Sequence, residues 1–130
     1  ETVSIHRTYL TLQGDKAPVP SPKKLLPPVR PGAMSGATVR LCPDGAIPPS
    51  TLAVSEGIET ALAVAQASGL ATWAALTAHG LRTLEVPASV TTLFVMADRD
   101  ASRTGQLAGR ALVARLLAQG VDARLLLPHG

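Results

Sequence analysis

Aromatic residues and cysteine are nearly missing from this 130-residue chain, which has one Trp, one Tyr, one Phe and one Cys. So few rings argue against a surface that stacks a run of successive single-stranded bases, and any nucleic-acid contact has to rest on charge. Cys42 alone can form neither an internal disulfide nor a thiolate metal cluster, so nothing points to an oxidising compartment or a zinc site. No apolar run approaches the roughly 20 residues that span a bilayer, and the N-terminus lacks a basic-then-apolar signal pattern. A soluble, cytoplasmic protein is the expectation. Charge is sparse at 16%, but the 46% of hydrophobic residues is enough for a packed interior and too much for a disordered segment. The chain starts without Met and stops just after a strand-like run, at Leu127-Pro128-His129-Gly130, and so reads as a piece of a larger polypeptide.

The net charge of +3 is unevenly spread. Residues 1–41 hold Arg7, Lys16, Lys23, Lys24, Arg30 and Arg40 against Glu1 and Asp15, whereas residues 42–130 hold six Arg against seven acids. A basic flank beside an acid-bearing domain is what a phosphate backbone and a metal site would call for.

Texture changes along the chain in the same way. Residues 3–12 are rich in β-branched types and read as a strand meeting a turn at Gly14-Asp15, and residues 15–36 hold six prolines before a second strand over residues 37–41. Together, residues 1–48 read as a basic, β-rich extension with a Pro-rich connector. From residue 49, apolar runs alternate with alanine-rich helical patterns. Strands are expected at Leu52–Val54, Ala71–Ala75, Thr92–Met96 and Val121–Leu127, with helices over Ile58–Ala67, Ala78–Leu84 and Gly105–Gln119. Gly120 occupies the left-handed position that ends a helix. Such alternation implies an α/β fold: roughly four parallel strands joined by right-handed crossovers, with helices on the sheet faces.

In open parallel sheets, functional groups gather at the strand C-termini. Two acidic clusters fall there, because Leu52-Ala53-Val54 runs into Ser55-Glu56-Gly57, and Leu93-Phe94-Val95-Met96 runs into Ala97-Asp98-Arg99-Asp100. Residues i and i+2 of an extended segment project to one side, so Asp98 and Asp100 can face one point. Carboxylates so close repel unless a cation joins them, and an all-oxygen set favours a hard ion such as Mg²⁺, which leaves positions for phosphate oxygens. The plainer alternative makes the two aspartates turn-formers and helix caps. Gly57 permits a tight strand-to-helix turn and close approach of a ligand. Glu59, in the first helical turn, suits a helix-start charge better than a ligand role. His6 and His79 lack partners at ligand spacing, and Ser55 and Cys42 lack a His–acid constellation for nucleophilic catalysis.

The run Leu52-Ala53-Val54-Ser55-Glu56-Gly57-Ile58-Glu59-Thr60-Ala61-Leu62-Ala63, together with Val95-Met96-Ala97-Asp98-Arg99-Asp100, resembles the two signature motifs of the Toprim domain. The E-G-I-E-T-A-L-A stretch, followed by Trp73-Ala74-Ala75 and the A-D-x-D run, is most similar to Toprim domains of phage- and plasmid-type primases and primase–helicases. The resemblance implies Glu56 as a proton-transfer residue, and Mg²⁺, or Mn²⁺, on Asp98 and Asp100 with Glu56 as a further ligand. Glu59 remains a secondary acid. It also implies contacts from Arg7, Lys16, Lys23, Lys24 and Arg40 to nucleotide or nucleic-acid phosphate. The glycine that usually follows D-x-D closely comes here only at Gly105, so the intervening loop is longer and Arg103 gains reach to a phosphate.

The expected function is therefore the catalytic Toprim subdomain of a DNA primase acting on a DNA template and nucleoside triphosphates, beside zinc-binding or helicase domains of the same polypeptide. The rivals are a non-catalytic Toprim-like nucleic-acid-binding module, a Toprim nuclease, or a topoisomerase whose catalytic tyrosine would have to come from elsewhere, since Tyr9 lies in a strand. A phosphatase of the haloacid dehalogenase type is disfavoured because its D-x-D follows the first core strand.

Overall fold

Prolines cut the first part of the chain into short extended pieces, and two of these pair. Strands β1 (His6–Thr8) and β2 (Lys23–Leu25) form an antiparallel hairpin with Arg7 directly opposite Lys24. The strand expected over residues 3–12 shortens because Tyr9 donates its N–H to the Pro22 carbonyl, while Ala17 donates to the Tyr9 carbonyl and an isolated bridge joins Leu10 to Lys16. β2 falls inside the stretch that read as connector. Pro22 and Pro27 flank it without interrupting its paired residues.

The computed structural model describes residues 4–32, 37–41, 49–98 and 103–127, and forms two compact units, Glu1–Ala37 and Thr38–Gly130. Arg99, Asp100 and Cys42 lie outside the described residues. Among the described residues no helix is long and apolar enough to cross a membrane.

The second unit runs β3 (Val39–Leu41), β4 (Thr51–Ser55), α1 (Ile58–Ser68), β5 (Ala71–Ala74), α2 (Ala78–Arg82), β6 (Thr92–Met96), α3 (Thr104–Ala118) and β7 (Asp122–Leu126). The sheet order is β3-β5-β4-β6-β7. The four expected strands are parallel, and β3 joins β5 antiparallel at the edge, making the sheet mixed and five-stranded. The change of texture at residue 48 thus falls within this unit, since β3 hydrogen-bonds to its sheet.

From β4 the chain steps one way to β5, then crosses back to β6 and steps the other way to β7. Right-handed crossovers in opposite directions put their helices on opposite faces. Accordingly α1 packs on β3, β4 and β5, and α3 packs on β6, β7 and α2. The winding reverses between β4 and β6, which is where open α/β sheets form their crevice.

Strand register builds the core on the α2–α3 face. It aligns Leu52 with Leu93 and Ala123, and Val54 with Trp73 and Val95, under Leu81, Leu84, Leu112 and Leu116. Each fully buried leucine or valine contributes about 1.5–3 kcal/mol. The buried face of α3 reads Gly105, Ala108, Gly109, Leu112, Leu116, a helical repeat that starts with small residues. At Gly109 the helix comes so near the sheet that an added Cβ would lie 2.9 Å from Leu125 Cδ1 and 3.2 Å from Val95 Cγ1. The helix ends in a Schellman turn: Gly120, with φ of 87°, donates to Leu117, and Val121 donates to Leu116. Arg115 of α3 donates to the Arg82 and Leu84 carbonyls at 3.0 and 2.6 Å, closing the end of the short α2. Hydrogen bonds from a charged donor of this kind contribute roughly 1.5–3 kcal/mol.

Candidate functional site

Both acidic clusters follow strands that are neighbours in the sheet. Ser55 of β4 pairs with Met96 of β6, so Glu56 is one residue and Asp98 two residues beyond the last rung. Adjacent strands lie about 4.8 Å apart, which brings the two acids to neighbouring ends at the point where the winding reverses.

Several backbone and side-chain contacts fix the Glu56 end. The buried Ser55 hydroxyl donates to the Gly57 carbonyl at 2.8 Å, a structural task for a residue considered as a nucleophile. From the β5 side, Ala75 N–H donates to Ser55 and Leu76 N–H to Glu56, both at 2.8 Å, with Leu76 in the left-handed region at φ 74°. Gly57 itself is extended, at φ −89° and ψ 150°, a conformation open to any residue. The Glu56 carboxylate is half-buried and reaches the start of α3, where a Cβ on Gly105 would sit 2.9 Å from its Oε2. The glycine following D-x-D at a distance therefore has a definite use, to leave room for this carboxylate.

Asp98 is exposed and held by two helices. Thr60 in the first turn of α1 donates to its Oδ1 at 3.2 Å, and Gln106 in the first turn of α3 donates to its main-chain carbonyl at 3.4 Å. Neither contact was legible beforehand, although Thr60 stands within the E-G-I-E-T run. Glu59 is exposed in the first turn of α1 with its carboxylate folded back towards Gly57. Arg103 takes a left-handed backbone at the N-cap of α3, with φ of 56°. Both helices thus begin at the acidic edge, and their first-turn N–H groups give it a partial positive character that suits anions.

The basic residues divide between the two units. Arg7, Lys16, Lys23 and Lys24 belong to the hairpin unit, where the Lys24 ammonium stands 5.7 Å from the Tyr9 ring centre. Arg40 belongs to the second unit and is stacked on Trp73.

Among the described residues no three acid, His or Cys side chains gather as a metal cluster, and Asp100 lies outside them. Glu56 and Asp98 are hard oxygen donors at adjoining strand ends, a donor chemistry that fits Mg²⁺.

A family model for the Toprim domain matches residues 51–130. No curated protein and no solved structure matches the chain. Toprim domains occur in primases, nucleases and topoisomerases, usually as metal-dependent modules for nucleotidyl transfer or nucleic-acid cleavage, and they typically bind Mg²⁺ through acidic residues. A match of that extent, laid on a sheet wound in this order, makes the chain a member of the Toprim domain family.

Proposed function

We propose that this Toprim domain is the catalytic subdomain of a DNA primase, joining nucleotides into a primer on a DNA template. The observation that supports this reading best is the convergence of Glu56 and Asp98 on neighbouring strand ends, flanked by the starts of α1 and α3. Asp98 and Asp100, with Glu56 beside them, would hold Mg²⁺ or Mn²⁺, which when bound supplies positive charge for triphosphate oxygens. Thr60 keeps the Asp98 carboxylate oriented. Glu56 takes the proton of the primer 3′-hydroxyl, and Arg103 with the first turn of α3 receives phosphate.

The hairpin unit supports a nucleic-acid partner independently of the acids. Like charges directly across a strand pair are destabilising, yet Arg7 faces Lys24, an arrangement that a phosphate chain offsets. The similarity of the E-G-I-E-T-A-L-A run to phage- and plasmid-type primases favours synthesis over cleavage, and zinc-binding or helicase domains of the same polypeptide are the partners it suggests. The test is to give the protein carrying this chain a single-stranded DNA template, nucleoside triphosphates and Mg²⁺. New labelled primers are expected. Shortened template without synthesis would make it a nuclease, and DNA binding indifferent to Mg²⁺ and to loss of the carboxylates would make it a binding module.

Gly105→Ala separates the site from the fold. Alanine favours a helix over glycine by up to about 1 kcal/mol in a helix interior and by less in the first turn, where Gly105 stands, and the atom it meets, Glu56 Oε2, is the far end of a flexible side chain. The melting temperature is expected to hold or rise slightly while turnover falls roughly tenfold or more, because a catalytic group shifted by about 1 Å loses much of its effect. Unchanged turnover would show that the position of Glu56 does not matter.

A further inference from the structure

Arg40 lies on the edge strand β3, directly opposite Trp73 of β5. Its guanidinium carbon is 4.3 Å from the centre of the indole system. Trp73 is only 3% exposed, whereas Arg40 is exposed, so the guanidinium stands between the indole and solvent. A guanidinium is planar, always charged and weakly hydrated over its faces, and resting on an aromatic ring holds that plane in a fixed orientation. What remains outside is a flat cationic surface the width of a base.

Two polar atoms accompany it. Trp73 Nε1 and Thr38 Oγ1 are buried and have no hydrogen-bond partner among the described residues. Thr38 stands two residues before Arg40, so strand alternation directs both to the sheet face that carries Trp73. Both atoms lie beneath the surface, so what the β3 edge presents to a base is the guanidinium itself.

Placement relative to the acids follows from the register. Arg40 and Trp73 are level with Val54, two residues before Glu56 and two strands across from it. At 3.3 Å per residue and 4.8 Å per strand, the stack is on the order of 12 Å from the acidic edge. A strand of nucleic acid passing the acids reaches it within a few nucleotides.

We propose that Arg40, stacked on Trp73, is a platform on which one unpaired base of single-stranded DNA lies, holding the strand beside the acidic edge. The inference rests on the reading that the site works on nucleic acid, and it assigns Arg40 to a base face. Bases stack on arginine planes as they do on aromatic rings. A single such platform is compatible with the scarcity of rings in the chain, because one buried tryptophan supports one arginine rather than a run of bases.

Trp73 is the sole tryptophan, so its fluorescence reports this spot alone. The full chain is titrated, without divalent metal, with a fluorescently labelled single-stranded oligodeoxynucleotide and with an abasic analogue of equal length and charge. Anisotropy of the label reads binding, and Trp73 emission reads the platform. The expected result is a change in Trp73 emission with the natural oligonucleotide and none with the abasic one, which binds about tenfold more weakly. Arg40→Lys keeps the charge and removes the plane, and is expected to lower affinity for the natural oligonucleotide about tenfold while leaving the abasic one nearly unaffected. Equal binding of the two by the unaltered chain, or natural-oligonucleotide affinity unchanged in Arg40→Lys, overturns the platform while leaving the metal-site reading standing. Absence of any DNA binding overturns both. Glu56→Gln, which should abolish synthesis, is expected to preserve the emission change.

Discussion

Asp98→Asn should lower metal-dependent turnover about a thousandfold, the several kcal/mol that a bound metal contributes to a transition state, and leave the fold intact. Asparagine has nearly the same shape, can still accept the Thr60 hydroxyl that now meets Oδ1 at 3.2 Å, and does not touch the main-chain carbonyl that receives Gln106. Asp98 is also exposed, so no burial is lost. What disappears is one unit of negative charge at the end of β6. Turnover at saturating Mg²⁺, read beside the melting temperature, checks the expectation. Activity at the level of the unaltered protein would remove Asp98 from the metal site, and a parallel loss of stability would mean that its contacts to α1 and α3 serve the fold. Asp100→Asn is expected to behave like Asp98→Asn if the two aspartates share one ion.

Gly109→Leu should destabilise the second unit by more than about 3 kcal/mol, or prevent it from folding. Even the first added carbon would lie 2.9 Å from Leu125 Cδ1 and 3.2 Å from Val95 Cγ1, both on strands, with no loop to absorb the displacement. For alanine, a gain of about 1 kcal/mol in helix propensity partly offsets an overpacking cost of roughly 1–3 kcal/mol. Leucine adds three more carbons without adding further helix preference. The contrast with Gly105 one turn earlier is instructive, because there the neighbour is a carboxylate that can swing away, whereas here it is the packed face of β6 and β7. Urea unfolding of the two variants measures the difference. A Gly109→Leu protein as stable as the original would mean that α3 is not seated as closely as the structure has it.

The parallel part of the fold was readable because its signals are local. The Thr92–Met96 run matches β6 residue for residue, and Gly69 and Gly120 mark helix ends through their left-handed backbone. The acidic strand ends were readable for the same reason, since the rule that chemistry gathers at strand C-termini needs only the order of strands and acids. What could not be read depends on partners distant in sequence. β2 is a three-residue strand inside the Pro-rich stretch, too short for alternation to show, and β3, expected as a strand over residues 37–41, carried no sign that it would pair antiparallel with β5. Arg115 closing α2, Thr60 holding Asp98 and Gly105 making room for Glu56 each join residues more than 30 positions apart. The glycine displaced from its usual spacing after D-x-D was the one available hint of the last of these.

The antiparallel strand β3 also bears on how the gene can be divided. A polypeptide cut to the matched residues 51–130 would lose Val39–Leu41 and leave the outer rim of β5 with bare main-chain donors and acceptors. It would also strip the guanidinium from the indole. A raw strand rim of this sort recruits other chains and leads to aggregation, so the shortest piece suited to expression begins upstream of Thr38, well ahead of the first matched residue.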